Sequence, residues 1–260
     1  MDVRLGSFVA ESHGSGPAVV MVHGLGGSSG SFETLMPALG RFRVLRPDLP
    51  GAGRSALRPG RPGLAGLVAA VRECMRALGI PRAHLVGHSM GALVCQHVAA
   101  AAPELIASLT LYGALLEPSP AARAALVERA REATAAGMSG IADAVAAGSL
   151  GPGTAGGAAA AFVRESVLRQ VPAGYAAHCK ALAAARAPDH GAIRCPCLLV
   201  HGEGDPVAPL AQARRLRDAI SGARLEILPG LGHWPMVEDP QRAAELLRDH
   251  LAAASDPAPH

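Results

Sequence analysis

Residues 87 to 91, Gly87-His88-Ser89-Met90-Gly91, set one serine between two glycines where an apolar run meets a helical pattern. A serine on a sharp strand-to-helix turn is held up for attack, and small neighbours let the flanking backbones pass closely. The helix that follows points its first N–H groups at the same spot, which favours developing negative charge. In a chain with 31 glycines the pattern alone also fits an ordinary polar turn. The chemistry therefore depends on partners, because a serine hydroxyl is a poor nucleophile without a general base. Of the 11 histidines, His233 in Pro-Gly-Leu-Gly-His-Trp follows the last apolar run and precedes the last helical pattern. That places it on the edge of a sheet expected to carry Ser89. His88 adjoins the serine, but consecutive residues at a tight turn point apart, so its expected role is packing. His97, on the helix after the serine, and His178, in a helical stretch, are read as packing or surface residues.

A third group must fix the imidazole tautomer and balance its charge. Asp205, in His-Gly-Glu-Gly-Asp-Pro, stands just beyond another apolar run. The chain order is then Ser89, Asp205, His233, as expected for this constellation on a doubly wound sheet. Glu203 and Glu117 are the substitute acids, and Asp239 in Glu-Asp-Pro reads as a helix cap. A tetrahedral oxyanion needs two donors. The Met90 N–H comes with the turn, and the Leu25 N–H is the choice from His23-Gly24-Leu25-Gly26-Gly27, where glycines let the backbone approach. One such donor is worth on the order of 100- to 1,000-fold in rate.

The elements that must hold these groups follow from hydrophobic pattern. Residues 2 to 10 and 17 to 23 read as strands separated by His-Gly-Ser-Gly. Further strands fall at 42 to 49, 84 to 88, 108 to 113, 197 to 202 and 224 to 230. Several are apolar without alternation, as in strands buried on both faces. Helical patterns lie between them, at 63 to 79 ending before Pro81, after Ser89, and at 240 to 254. Alternating strands and helices imply a mostly parallel sheet covered on both faces. From about 117 to 190 the rhythm breaks into three or four Ala-rich helices. Ser119-Pro120 supplies the opening cap, and Gly137 and Pro172 punctuate the segment. The division expected is a core over 1–116 and 191–254, a helical cap over 117–190, and a frayed tail over 255–260. Residues 150 to 161, LGPGTAGGAAAA, read as loose, with glycines able to act as hinges.

With 24 basic and 21 acidic side chains interspersed along the chain, nothing points to nucleic acid or a membrane surface as partner. Lys180 is the single lysine, a composition bias and not chemistry. Five cysteines at scattered positions, including Cys195-Pro-Cys197, have no further ligands at metal spacing, so they read as buried thiols in a reducing compartment. The N-terminus lacks the apolar core of a signal peptide, and no apolar run reaches membrane-spanning length. The expectation is a soluble cytoplasmic protein acting on a small molecule, with no metal or organic cofactor implied and its oligomeric state unreadable.

In order, HGLGGS, DLPGAGRS, GHSMG, HGEGDPVAP and GLGHWPMVEDP resemble the α/β-hydrolase superfamily over residues 23 to 239. The resemblance implies about eight strands, a helical cap after the sixth, and a structural role for Asp48 in the turn after the fourth. Within the superfamily the chain is loosely similar to 3-oxoadipate enol-lactonases and related small esterases. Ala92 departs from the further glycine common after the serine motif, a change expected to crowd helix packing. The implied activity is hydrolysis of a small carboxylic ester or lactone through an acyl-enzyme. Gly232-His233-Trp234 also resembles C–C bond hydrolases of ring-cleavage products, and a small-molecule receptor on the same fold is the third reading. Met138, Leu150, Phe162 and Trp234 are the expected pocket linings. Trp234 has the alternative of packing the cap against its loop. Between 114 and 192 six acidic residues face seven basic ones, which gives no reason to expect an anionic substrate.

Overall fold

The computed structural model describes residues 2–5, 8–58, 60 and 63–255. Eight strands form one sheet: β1 (Asp2–Leu5), β2 (Phe8–His13), β3 (Ala18–Val22), β4 (Arg43–Asp48), β5 (Ala83–His88), β6 (Ile106–Tyr112), β7 (Cys197–Gly202) and β8 (Arg224–Leu228), in the order β1-β2-β4-β3-β5-β6-β7-β8. β2 runs antiparallel to both β1 and β4, and every other pairing is parallel. The expected single strand over 2 to 10 is therefore two, with Leu5 opposite Phe8 in a hairpin register.

The helices are α1 (Gly63–Ala77), α2 (Met90–Ala101), α3 (Pro120–Ala136), α4 (Ser139–Gly148), α5 (Gly157–Leu168), α6 (Pro172–Ala184), α7 (Leu210–Ala219), α8 (Pro235–Glu238) and α9 (Pro240–Ser255). A tight three-residue-per-turn helix over Ser29–Leu39 escaped the sequence reading, because its Ser-Gly-Ser start reads as loop. Successive strand residues feed opposite faces of the sheet, as the period of two requires. Val20, Val22, Leu85 and Leu111 pack with α1 and α2 on one face. Val19, Met21, Val86 and Val200 pack with residues 29 to 39 and α9 on the other. Both faces are covered, which explains the unbroken apolar runs.

Four helices, α3 to α6, fill the chain between β6 and β7. Ser119 caps α3 by accepting the Ala122 N–H at 3.2 Å, and Pro120 and Pro172 each occupy the first turn of their helix, where no N–H is missed. Gly137 ends α3 with a left-handed φ of 81°. Residues 255 onward were expected as tail: Ser255 closes α9, and residues 256–260 lie outside the described residues. No helix among the described residues is long and apolar enough to cross a membrane.

Candidate active site

The chain leaves β3 for β4 on one side and returns to β5 on the other, so the loops after β3 and β5 diverge and open a crevice at the carboxyl edge. Val22 pairs with Gly87, which brings the turn at His23 beside the turn at Ser89. Ser89 is the only described non-glycine residue with a left-handed φ, 53°, and its N–H donates to the Tyr112 carbonyl at 3.0 Å. Such a dihedral costs roughly 1–3 kcal/mol and persists only where the surroundings enforce it. The two flanking glycines are that enforcement. A Cβ on Gly91 would sit 2.0 Å from the Val22 carbonyl oxygen, and one on Gly87 would sit 2.6 Å from the Ala92 Cα. Ala92, expected to leave this turn intact and to crowd only helix packing, is fully buried in the core.

The Ser89 hydroxyl donates to His233 Nε2 at 2.8 Å, and His233 Nδ1–H donates to Asp205 Oδ2 at 2.7 Å. This tautomer follows from the network, since the carboxylate can only accept. All three side chains are more than nine-tenths buried. Asp205 Oδ1 accepts the N–H groups of Val207 and Ala208, both at 2.8 Å. Burial would raise the Asp205 carboxyl, but His233 and the Ala208 N–H hold it below the ordinary carboxylate range. His201 is kept neutral by burial, and its Nε2–H donates to the Ala208 carbonyl at 2.7 Å. The loops bearing the acid and the base brace each other: Gly204 N–H donates to the Leu231 carbonyl, and Glu203 N–H to that of Leu228.

His88 does not face the serine hydroxyl. Its Nε2–H donates to the His233 carbonyl at 2.9 Å, its ring packs on Trp234 with centroids 4.4 Å apart, and burial lowers it to about 3. It holds the loop of His233 from behind as a neutral ring. His97 donates to the Arg186 carbonyl and His178 to that of Pro50, both away from Ser89. Glu117 pairs with Arg123, Glu203 is exposed, and Asp239 accepts the Arg242 N–H at the start of α9 as a cap.

Neither the Leu25 nor the Met90 N–H has an intramolecular acceptor among the described residues. Leu25 is held near the serine because a Cβ on Gly24 would come within 3.0 Å of the Ser89 Cβ. His23 fixes that turn: its Nδ1–H donates to the Gly24 carbonyl at 2.8 Å, and its Nε2 accepts the Leu49 N–H at 3.0 Å. Asp48 ties the same region together, accepting the N–H of Ser29 and both the N–H and Nε–H of Arg54. Sequence reasoning missed this use of His23; its place directly after an apolar strand was the available signal.

A cavity of about 460 Å³ opens on Leu25, Ser89 and His233, with walls from α3, α4 and α6. Of the four expected linings only Trp234 belongs to it. Met138, at the start of α4, is buried with Ile141 in the core on one face. Leu150 and Phe162 pack with Val163 and Leu231 on the other. Only Phe162 lies within a helix, where it turns to the core; Met138 and Leu150 stand just outside the two ends of α4 and are buried there. Leu126, Val145 and Tyr175 line the cavity instead, together with Arg129.

The stretch expected to be loose is pinned at its start. His233 N–H donates to the Ser149 carbonyl at 2.8 Å, and the Trp234 indole N–H donates to the Ser149 hydroxyl at 3.0 Å. A Cβ on Gly232 would meet the Gly151 nitrogen at 2.5 Å, so Gly151 serves close approach, whereas a Cβ on Gly153, Gly156 or Gly157 would meet nothing within 4 Å. No group of three or more His, Cys, Asp or Glu among the described residues is placed to hold a metal ion.

Known proteins share this fold. The alpha/beta hydrolase fold family matches residues 17–240. A pimeloyl-[acyl-carrier protein] methyl ester esterase of Chromobacterium violaceum is 31% identical over 258 residues, covering 93% of this chain and 96% of its own. A 2-hydroxy-6-oxo-2,4-heptadienoate hydrolase of Pseudomonas putida is 29% identical, covering 97% and 91%. The crystal structure of the enol-lactonase from Burkholderia xenovorans LB400 superposes with a TM-score of 0.88 at 28% identity, covering 97% of this chain and 100% of that one.

Proposed function

The chain belongs to the α/β-hydrolase fold family, and on that premise we propose that it is a serine hydrolase cleaving a small carboxylic ester or lactone. The observation that carries this reading is the continuous Ser89–His233–Asp205 relay, with contacts of 2.8 and 2.7 Å, beside two unspent backbone N–H groups. Ser89 Oγ attacks the carbonyl carbon while His233 Nε2 takes its proton. The tetrahedral oxyanion sits between the N–H groups of Leu25 and Met90, at the N-terminus of α2, where preorganised dipoles need no rearrangement. His233 then returns its proton to the departing alkoxide, leaving an acyl-enzyme. Water, deprotonated by the same ring, releases the acid. Asp205 stays ionised throughout, because its folded environment favours the carboxylate.

The cavity over the serine supports a small substrate, and α3 to α6 would act as the cap that excludes bulk water from it. The five buried free thiols support a reducing, cytoplasmic setting. The resemblance to a C–C bond hydrolase favours a second use of the same serine, on a ring-cleavage diketone.

Acid release in a pH-stat tests the reading, with a short acyl ester and an unsaturated five-membered lactone as substrates and Ser89→Ala as the blank. A rate that falls at least about 1,000-fold in Ser89→Ala is expected. An unchanged rate in that variant would remove the mechanism. Release from neither substrate, with turnover of a diketone, would shift the bond cleaved from C–O to C–C.

A further inference from the structure

The cavity over Ser89 is walled by Leu, Ala, Val, Pro, Tyr and Trp side chains, and among the described residues Arg129 is the one permanently charged group lining it. Arg129 lies on α3, half-buried, one turn beyond the buried Leu126. A guanidinium in such surroundings is expected to be paired, because desolvating it without a counter-charge is costly. Four of the other five arginines of the helical insertion show the usual solution. Arg123 pairs with Glu117, Arg131 with Glu128, Arg164 with Asp143 and Arg169 with Glu165. Arg129 has no carboxylate within 4 Å among the described residues, and Glu132 on the next turn is exposed to solvent.

The polar neighbour Arg129 does have is neutral. It is the hydroxyl of Tyr175, which burial holds firmly protonated and which lines the same cavity. A protonated phenol has an O–H to donate. The guanidinium N–H groups and that O–H form a set of donors with no acceptor among the described residues. Their natural complement is a carboxylate, which the planar fork of arginine grips through two parallel bonds.

We infer that Arg129, with Tyr175, selects substrates carrying a carboxylate remote from the bond that is cleaved, such as half-esters of dicarboxylic acids or carboxyl-bearing lactones. The inference rests on the hydrolase reading above and narrows its substrate class. It also replaces the expectation drawn from the near balance of charge in this segment. That balance includes four locally satisfied pairs, and of the basic side chains without one, Arg129, Lys180 and Arg186, only Arg129 lines the cavity.

The test compares monoethyl adipate, whose carboxylate is on the acyl side, and 6-acetoxyhexanoate, whose carboxylate is on the alcohol side, with the neutral ethyl hexanoate. Wild type is expected to favour one anionic ester over the neutral one by about 10- to 100-fold in kcat/KM, and the favoured member tells which half of the substrate Arg129 holds. Arg129→Met should erase most of that factor through KM while changing the neutral ester by less than about threefold, and Arg129→Lys should restore part of it. No anionic preference in wild type, or an equal loss on both ester types in Arg129→Met, would overturn the inference and leave the hydrolase intact. A second measurement separates the two readings. Adipate titrated calorimetrically into Ser89→Ala should bind, and binding should weaken by the same factor in Ser89→Ala/Arg129→Met. Adipate bound equally by both proteins overturns the carboxylate site. Weakened binding without Ser89-dependent turnover of any ester upholds the site and overturns the hydrolase.

Discussion

The carboxylate of Glu238 accepts the backbone N–H of Gly151 at 2.7 Å, tying the helical insertion to the loop that carries the candidate base. The same oxygen accepts from the Gly232 N–H at 2.9 Å and from the Thr154 hydroxyl, and the other oxygen accepts from the Trp234 N–H at 2.9 Å. Four donors from two separate parts of the chain thus converge on one ionised group, on either side of His233. Charge-assisted bonds of this kind are roughly twice as strong as neutral ones. Glu238 is a positioning residue: it touches no reacting atom, yet it sets the height of the loop from which His233 reaches Ser89.

Glu238→Ala leaves these donors without an acceptor, and unsatisfied buried groups cost about 1–3 kcal/mol each where water cannot reach them. Since the site is part-buried, the expected net loss is roughly 2–4 kcal/mol of stability. A fall of about tenfold or more in kcat is expected with a smaller change in KM, because the base is misplaced and the cavity walls are not. Glu238→Gln keeps one acceptor oxygen and should lie between the two. Thermal melts alongside pH-stat kinetics decide it, and wild-type behaviour of Glu238→Ala in both would dismiss the role.

Much of this site was legible in the sequence because each part follows a strand whose apolar run is unmistakable. Ser89, Asp205 and His233 all stand one to five residues past such a run, and parallel strands deliver their carboxyl ends to one edge. The lining of the cavity was not legible. In α3 to α6 alanine occurs on every face, so no stripe distinguishes the side toward the core from the side toward the cavity, and Met138, Leu150 and Phe162 were assigned to the wrong side. Glycines misled in a similar way. Gly151 looks like a hinge in isolation, and only the approach of Gly230, whose carbonyl oxygen would lie 2.1 Å from a Cβ there, shows that it is a contact. Long-range partners of single residues, such as Glu238 for Gly151 or His23 for Leu49, leave no local pattern to read.

Asp205→Asn tests the acid. The amide can present N–H to His233 Nδ1 and so favour the tautomer with its proton on Nε2, where it cannot accept from Ser89. A loss of around 10⁴-fold in kcat is expected with the fold preserved. Glu117→Gln should be nearly silent, since its carboxylate pairs with Arg123 at 3.4 Å. Reversed outcomes in a side-by-side acid-release assay would move the role to Glu117.

Acid should destabilise this protein well above the range in which its carboxylates titrate. Burial lowers His88 to about 3 and both His84 and His178 to about 4, against roughly 6.5 in an unfolded chain. Below 6.5 the unfolded state therefore binds more protons than the folded state, so stability is full above that pH and falls as pH drops toward 4. Each such histidine adds up to about 1.4 kcal/mol per pH unit to the slope. Asp205 contributes in the same direction but only lower down: its folded carboxyl is depressed, so its share is present above about 4 and vanishes as pH falls through the folded value. The window between pH 6 and pH 5 thus isolates the histidines. His178 is the one to remove, because it donates to the Pro50 carbonyl at 2.8 Å and takes no part in the relay at Ser89. Urea unfolding of His178→Gln at pH 7, 6 and 5 should show a slope shallower than wild type by about 1 kcal/mol per pH unit, whatever its stability at pH 7. Parallel lines for the two proteins would mean that His178 titrates alike in both states, and that its burial contributes nothing to the acid limit of the fold.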